Sequence, residues 1–397
     1  MSPVRRSTWA APLRWLTPLG RGVLLLGVLG TGLGSWLHWQ EFTQLSALAA
    51  AILLLGLLWQ LLPGAPVARL RLRQQRAVEG TPAPSVEVEV QAGTAPMLFP
   101  RLVVPAGSAT VQLRLPSLRP FARHTEAAVP LPGLPRGVHR VGPVVFERTD
   151  PVGVISRPIE TSESVLLRVS PVVTDLPVFA GGLANDLDGA TSQQLSMSDL
   201  AFHALREYVA GDDLRHVHWR SSAKAGELLV RQFHESRRGH ITVLVDPAAA
   251  SYPRRRDFEL AVSVATSVAL RAVRDDFDTY LRCGFHLARG REALAMTDVA
   301  CLFVLDDASG AVADYLAQAA DAAETMGGTG LVVQVTGAAR DLIELDRAAA
   351  SFGLGADWLV VRADSSAQAR VRDDRALREM IVPDLPRLQA LMARGMR

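Results

Sequence analysis

The stretch at 206–233, REYVAGDDLRHVHWRSSAKAGELLVRQF, concentrates the residue types that are best able to do chemistry. It holds two adjacent aspartates, two histidines, a tryptophan and several arginines around a short segment with helical spacing. Three kinds of site have such a composition: a metal or acid–base centre, a nucleic-acid contact, and a set of ion pairs and helix caps. The elements that position these side chains decide among the three.

The enzymatic interpretation is a metal-dependent hydrolase centred on Asp212, Asp213 and His218, with His216 and either His203 or His234 as further members of a metal or acid–base cluster. Carboxylates and imidazoles hold Zn²⁺ and act as general acids and bases. The spacing of the histidines argues against it, because residues two apart diverge by about 200° on a helix and cannot reach one ion. On a strand they would share a face.

The local pattern predicts a strand at EYV, a turn at GDD and a helix from about Leu214 to Lys224. Asp212 or Asp213 would cap that helix, since a carboxylate there accepts backbone N–H groups and complements the helix dipole. Gly226 is placed to end the helix, and ELLVRQF would resume as a strand. Capping and Asp–Arg pairing are therefore the favoured role, with Trp219 anchoring the segment against a neighbouring domain.

Nucleic-acid binding is the weaker alternative. Arginines interleaved with a tryptophan can bind phosphate and stack on a base, and the arginines concerned are Arg206, Arg215, Arg220, Arg231, Arg237 and Arg238. Neighbouring acids neutralise much of that field, and the net charge is only +2 over 397 residues. We therefore expect no nucleic-acid partner.

A second candidate site is Asp246, which ends the apolar strand HITVLV. Open α/β sheets bind ligands beyond the carboxyl ends of their strands. The position resembles the metal site of von Willebrand factor A domains, where an Asp-x-Ser-x-Ser loop holds Mg²⁺ through hard oxygen atoms. Ala248 and Ala250 stand where the two serines would be, so we expect a degenerate site at Asp246, Ala248 and Ala250 that holds no metal. The sequence also has no P-loop, GxGxxG, HExxH or GxSxG motif, which predicts a protein without catalysis or cofactor.

Two apolar segments, at about 22–39 and 44–62, predict a transmembrane hairpin embedded in the lipid bilayer, because roughly 20 residues span ~30 Å of hydrocarbon. Gly30 and Gly34 form a small-xxx-small pair that would let the two helices approach closely. Arginines flank the hairpin on both outer sides, whereas its loop has none, so both termini are expected in the cytoplasm. A signal peptide cleaved near Ala47–Ala49 and a pair of soluble core helices are the alternatives.

Composition then divides the chain into five parts. Residues 1–63 are the N-terminal tail and hairpin, and 64–85 form a Pro- and Arg-rich juxtamembrane linker. Short β-branched runs at 86–173 predict a small β-sandwich. Residues 174–237 are a linker with the 206–233 stretch, and 238–397 alternate strands with helices as in a doubly wound α/β domain. The predicted fold class is therefore multidomain.

The 206–233 stretch resembles the signature of the bacterial domain-of-unknown-function fifty-eight family, approximately R-E-Y-x-x-G-D-D-x-R-x-I-x-W-x-x-S-A-[RK]-x-x-x-L-x-V-[RK]-x-[FY]. The matching residues are Arg206, Glu207, Tyr208, Gly211, Asp212, Asp213, Arg215, Trp219, Ser222, Ala223, Lys224, Leu228, Val230 and Phe233. The candidate interaction residues are Arg206, Glu207, Tyr208, Gly211, Asp212, Asp213, Arg215, His218, Trp219, Ser222, Ala223 and Lys224. An upstream R-G-x-x-x-x-G-P…D-P-x-G segment is matched by Gly142, Pro143, Asp150, Pro151 and Gly153.

This resemblance implies a membrane-anchored protein with a von Willebrand factor A-like C-terminal domain. Members of the family are often encoded beside MoxR-type AAA+ ATPases and other membrane proteins of the same operon. The implied partners are therefore a MoxR-type AAA+ ATPase and those membrane proteins, and the implied location is the inner (plasma) membrane. The implied role is non-catalytic: an adaptor in the assembly or maturation of protein complexes.

Overall fold

The computed structural model describes residues 15–62, 66–81, 84–94, 96–97, 100–177, 200–209, 217–235, 240–306, 315–327, 330–353, 356–374 and 377–395. The chain divides into two compact units, Met1–Val169 and Ser170–Arg397.

The first unit begins with two antiparallel helices, α1 (Pro18–Leu37) and α2 (Gln40–Leu61). Both are long and apolar enough to cross a membrane, with mean hydropathies of 1.2 and 1.9 over their apolar windows. Each begins four residues before its predicted segment. The prediction followed the absence of charge, whereas α1 starts where the Thr17 hydroxyl accepts the Gly20 N–H at 3.0 Å.

Glycines line the contact between the two helices. A Cβ atom at Gly30 would lie 2.6 Å from the Ser46 Oγ, and one at Gly34 would lie 2.9 Å from the Thr43 Cγ2. Side chains at these positions would hold the helix backbones apart. The predicted close approach through Gly30 and Gly34 is thus confirmed.

Replacing Gly30 and Gly34 together by leucine is expected to destabilise the helix pair by about 2 kcal/mol, as overpacking commonly does. The matched control is Gly22→Leu with Gly32→Leu, since a Cβ atom at either position meets nothing within 4 Å. Thermal unfolding of the detergent-purified protein measures the difference. Equal melting temperatures for the two double variants would contradict the observed interface.

A β-rich region follows the helices. Its strands are β1 (Val67–Leu72), β2 (Arg76–Val78), β3 (Ser85–Gln91), β4 (Arg101–Ala106), β5 (Ala109–Arg114), β6 (Arg123–Pro130), β7 (Gly137–Val141), β8 (Val145–Thr149), β9 (Ser156–Glu160) and β10 (Val165–Ser170). One sheet has the order β1-β3-β6, and the other has the order β2-β10-β7-β4-β8-β9 with β5 paired to β4. Inward side chains of both sheets form one hydrophobic core, as predicted for a β-rich region.

Residues 64–85, interpreted from sequence as a linker, contain two of these strands. Strand β1 buries Ala68 and partly buries Leu70 and Leu72, while Arg69 and Arg71 point outward and pair across with Glu89 and Glu87. This is the period-two pattern of a strand with one solvent face. The sequence analysis missed this strand because arginines and prolines are also typical of a linker.

A turn at Asp150–Ile155 packs against the helix pair. The Asp150 carboxylate is 4% exposed and accepts three backbone N–H groups: Val152 at 3.0 Å, Gly153 at 2.9 Å and Ile155 at 2.5 Å. Its negative charge is thereby satisfied without a cation. The Asp-Pro-x-Gly segment of the family signature is therefore a rigid turn.

The turn contacts the start of α1 and the end of α2. The Thr17 hydroxyl donates to the Gly153 carbonyl at 2.7 Å, and the Gln60 Nε2 donates to the Ile155 carbonyl at 3.3 Å. A Cβ atom at Gly20 would lie 2.0 Å from the Val154 carbonyl oxygen, so only glycine permits this approach. The helix pair is thus fixed to the β-rich region by backbone and side-chain contacts.

The second unit contains a ribbon of two antiparallel strands and a larger α/β structure. The ribbon strands are β11 (Leu200–Glu207) and β12 (Leu229–Glu235), with helix α3 (Trp219–Ala225) in the connection. The remaining elements are β13 (His240–Val245), α4 (Arg255–Arg274), β14 (Asp278–Cys283), β15 (His286–Gly290), α5 (Ala293–Ala300), α6 (Tyr315–Met326), β16 (Gly330–Gly337), α7 (Leu342–Ala350), β17 (Ala356–Ala363), β18 (Arg370–Asp374), β19 (Leu377–Val382) and α8 (Leu385–Gly395).

The large sheet has the order β15-β14-β13-β16-β17-β19-β18, with parallel pairing except at its two edge strands. Ile241, Val243 and Val245 face one core and Leu244 faces a second, so both faces of the sheet are covered. The predicted alternation of strands and helices is confirmed. The chain leaves β13 toward β14 and later returns on its other side as β16, which makes the carboxyl ends of β13 and β16 the switch point of the sheet.

Candidate functional site

The ribbon positions the described part of the signature stretch. Glu207 pairs with Leu229, and the Tyr208 N–H donates to the Leu228 carbonyl at 2.8 Å, so the strands continue to the start of the connection. Val217 returns to form an isolated bridge with Val230. The connection between β11 and β12 therefore contacts β12 just before helix α3 begins.

Helix α3 begins at Trp219, which corrects the prediction of a helix from Leu214 capped by Asp212 or Asp213. The cap is His218, whose Nδ1 accepts the Ser221 N–H at 3.2 Å. The bridge of Val217 to Val230 places Val217 in extended pairing just before the helix, so a helix running on from Leu214 through Val217 is not formed. Gly226 ends the helix in the left-handed conformation at φ 76°, as predicted.

Capping changes what His218 can do. Its Nδ1 serves as a hydrogen-bond acceptor within its own turn, and the residue lies outside the helix on which the two-histidine argument was based. Gly211, Asp212, Asp213, Arg215 and His216 lie outside the described residues. The hydrolase hypothesis and the Asp–Arg pairing both remain untested predictions.

Ser222 is the buried member of the signature. Its hydroxyl accepts the Leu229 N–H at 2.8 Å and donates to the His218 carbonyl at 3.2 Å, and the residue is 7% exposed. It therefore joins α3 to the start of β12. Both hydrogen bonds of the Ser222 hydroxyl hold the local structure, so its burial is explained without a catalytic role.

Other members of the signature face solvent. Trp219 is 63% exposed, and Arg220, Ala223 and Lys224 on the same helix are also exposed. Single exposed hydrophobic side chains are common on protein surfaces, but tryptophan is enriched at binding hot spots, which makes Trp219 a candidate contact residue. The expected anchoring of Trp219 against a neighbouring domain stays a prediction.

Asp246, at the switch point of the sheet, is 0% exposed. The Ala248 N–H donates to its Oδ1 at 3.0 Å, and the hydroxyls of Ser251 and Thr336 donate to its Oδ2 at 2.6 and 2.8 Å. The Tyr252 hydroxyl donates to its backbone carbonyl at 2.7 Å. Every carboxylate oxygen is therefore already bound by the protein.

These contacts do not fit the divalent cation that the resemblance to von Willebrand factor A domains implies. Ala248 and Ala250 offer no oxygen ligand from their side chains, and the hydroxyls present direct their protons at the carboxylate. Among the described residues no group of three or more His, Cys, Asp or Glu side chains is placed to hold a metal.

Sequence reasoning missed three residues of this cluster: Ser251, Thr336 and Arg340. The Arg340 Nε lies 3.7 Å from the Asp246 Oδ2, and its guanidinium lies over the Tyr315 ring at 5.2 Å. Burial, and after it the charge of Asp246, raises the pKa of Tyr315 well above its usual range, so this phenol stays neutral. Thr336 lies at the carboxyl end of an apolar strand, and Asp246 directly follows another, so the sequence already indicated Thr336 as a candidate.

A buried ion pair holds the loop that carries Arg340. The Arg362 Nε donates to the Glu379 Oε1 at 2.5 Å, and its Nη1 donates to the carbonyls of Gly337, Ala338 and Arg340 at 3.1, 3.2 and 2.8 Å. Arg362 thus fixes three carbonyls of one loop from the neighbouring strand. The position of Arg340 is set by this network.

The fold and these sites define a multidomain protein with an apolar helix pair, a β-rich region and an α/β unit that begins with a signature ribbon. The family model described as protein of unknown function DUF58 matches residues 204–280, from β11 to β14. This match confirms the family resemblance that the signature stretch predicts. No curated protein and no solved structure matches the chain.

Proposed function

We propose that this protein is a membrane-anchored, non-catalytic interaction protein that acts with a MoxR-type AAA+ ATPase in the assembly or maturation of protein complexes. In this proposal the ATPase contacts the signature ribbon, and the α/β unit is a von Willebrand factor A-like domain. The helix pair spans the inner membrane as a hairpin, and both chain termini lie in the cytoplasm.

The apolar helix pair supports anchoring. Exposed leucines cover the outer surfaces of α1 and α2, whereas the glycines face inward, which is the arrangement expected of helices that pack in lipid. Arginines at 69, 71 and 73 follow α2, and Arg21 lies near the start of α1. This distribution favours a cytoplasmic location for both ends of the hairpin.

The exposure of Trp219 is the observation that carries the interaction role. Tryptophan and arginine dominate the binding energy of protein interfaces, and here Trp219 is followed directly by the exposed Arg220. Ser222, by contrast, is buried and ties the helix to its strand. The helix therefore has a fixed inner side and an accessible outer side, as a docking element requires.

Co-purification from membranes tests the proposal. The full-length chain and its Trp219→Ala variant are extracted in mild detergent, and the recovered AAA+ ATPase is quantified by mass spectrometry. We expect Trp219→Ala to lower recovery about tenfold, the effect of truncating a central interface tryptophan.

The matched control is Phe285→Ala, which removes an aromatic side chain that is 71% exposed and lies outside the family-matching segment. Recovery of the ATPase with this variant should equal that of the unmodified chain. Equal recovery with all three proteins, or no enriched ATPase with any of them, would refute the proposed partnership.

A further inference from the structure

Two arginines stand directly opposite each other in the β-rich region. Arg148 of β8 pairs with Arg157 of β9 across the antiparallel strands, so both side chains leave the same face of the sheet, from Cβ atoms roughly 5 Å apart. Burial, and after it the charge of Arg157, lowers the pKa of Arg148 below its usual range. Like charges directly opposite each other destabilise a sheet, so this pair calls for a negative charge between its members.

The acids close by in the sequence do not supply that charge. Glu147 leaves the opposite face of the sheet, because successive residues of a strand alternate, and it stands across from Arg101. The Asp150 carboxylate accepts its three backbone N–H groups. In the part of the chain that the structure describes, neither Arg148 nor Arg157 forms an ion pair.

The contacts that the two arginines do make place them at one end of the helix pair. The Arg148 Nη1 donates to the carbonyl of Leu62, the residue after α2, at 2.9 Å. The Arg157 guanidinium lies over the ring of Trp15, just before α1, at 5.0 Å from its centre. Both guanidiniums therefore lie where the apolar helices end.

The turn between β8 and β9 shows apolar side chains at the same end. Pro151 is exposed and Val152 is 55% exposed, in the turn that contacts α1 and α2. Exposed apolar side chains, a tryptophan and arginines beside the ends of apolar helices are typical of the interface between hydrocarbon and lipid headgroups. Phospholipid phosphate groups lie at that depth.

We propose that Arg148 and Arg157 together bind the phosphate group of an anionic phospholipid. A guanidinium offers parallel N–H groups that match the oxygen atoms of a phosphate, and one phosphate between the two arginines compensates both charges. A lipid with net negative charge is favoured over a zwitterionic one, whose own cation competes for the phosphate. The inference rests on the proposed membrane anchoring, and it adds the lipid class that holds the β-rich region on the bilayer surface.

Native mass spectrometry of the full-length, detergent-purified chain tests this. The chain is mixed with equal amounts of phosphatidylglycerol and phosphatidylcholine that carry the same acyl chains, so that only the headgroup differs. We expect the bound lipid to be phosphatidylglycerol about tenfold more often, the effect of one charge-assisted contact. Arg157→Gln, a change at an exposed position, should reduce this preference to within about twofold.

The matched control is Arg114→Gln, which removes the same charge from the solvent face of the neighbouring strands. Arg114 also stands opposite an arginine, Arg101, but Glu147 lies across from Arg101 on its other side. The control should keep the tenfold preference. A loss equal to that of Arg157→Gln would overturn the inference, because net charge alone would then explain the preference. Displacement of the lipid by inorganic phosphate at tenfold excess would also overturn it, in favour of a soluble ligand.

Anchoring is measured separately, by flotation of the same proteins with liposomes of phosphatidylcholine alone. The unmodified chain and Arg157→Gln should both float, since the apolar helices need no particular headgroup. A chain that floats but shows no preference for phosphatidylglycerol would overturn this inference alone. A chain that does not float would refute the anchoring and the inference with it.

Discussion

Replacing Asp150 by alanine is expected to destabilise the first unit by about 3–4 kcal/mol. The substitution leaves the buried Ile155 N–H and the partly buried Val152 and Gly153 N–H groups without the carboxylate that binds them. These groups hold the turn that contacts α1 and α2, so the loss should extend to the helix pair. Hydrogen exchange of the β8 and β9 amides in the full-length protein measures the change.

The matched control is Glu160→Gln, which neutralises an exposed acid ten residues further along the same β-rich region. Its effect should stay below about 0.5 kcal/mol, as is usual for surface substitutions. If Asp150→Ala behaved like this control, the turn would not be what fixes the helix pair to the strands.

Replacing Arg362 by methionine is expected to destabilise the α/β unit by about 3–5 kcal/mol. Methionine keeps much of the volume but leaves the Glu379 carboxylate buried without its partner, and it frees three carbonyls of the Arg340 loop. The measurement is hydrogen exchange of the β16 and β17 amides in the full-length protein. Exchange in the loop at 337–340 should rise most.

Arg372 provides the control on the same carboxylate. Its Nη1 lies 3.7 Å from the Glu379 Oε2, but its side chain is 54% exposed, and exposed ion pairs contribute at most about 1 kcal/mol. Arg372→Met should therefore change exchange little. Comparable losses in the two variants would show that burial of Arg362 is not the source of its effect.

Periodic patterns made most of the architecture predictable. The uncharged runs identify α1 and α2, and alternating strands and helices identify the parallel sheet, because burial on one or two faces leaves a regular trace in the sequence. Strand β1 escaped because outward arginines interrupt its apolar residues. A linker and an edge strand of this composition differ only in whether they pair with a neighbouring strand, and that pairing depends on the folded structure.

The candidate site was less predictable. His218 caps α3 because Val217 is held by Val230, a contact that depends on where β12 returns. The Asp246 cluster needs Thr336 and Arg340, which are about ninety residues away along the chain and meet it only through the order of the parallel strands. Strand ends identify Asp246 and Thr336 as candidates, but no local pattern selects Arg340.

We propose that a membrane hairpin holds the signature ribbon and the α/β unit on the cytoplasmic side. Cysteine labelling in spheroplasts with a membrane-impermeant maleimide tests it most directly. The native Cys283 and Cys301 are buried, at 2% and 4% exposed, so the unmodified chain should not react and serves as the negative control. A cysteine at Gln40, the first residue of α2, reports on the end of the hairpin where the two helices connect, and a cysteine at Phe285 reports on the α/β unit.

We predict that Gln40→Cys reacts in intact spheroplasts, whereas Phe285→Cys reacts only after lysis. This is the pattern of a hairpin with its loop outside and everything after α2 inside. Reaction of Phe285→Cys in intact spheroplasts, or protection of Gln40→Cys there, would contradict the claim.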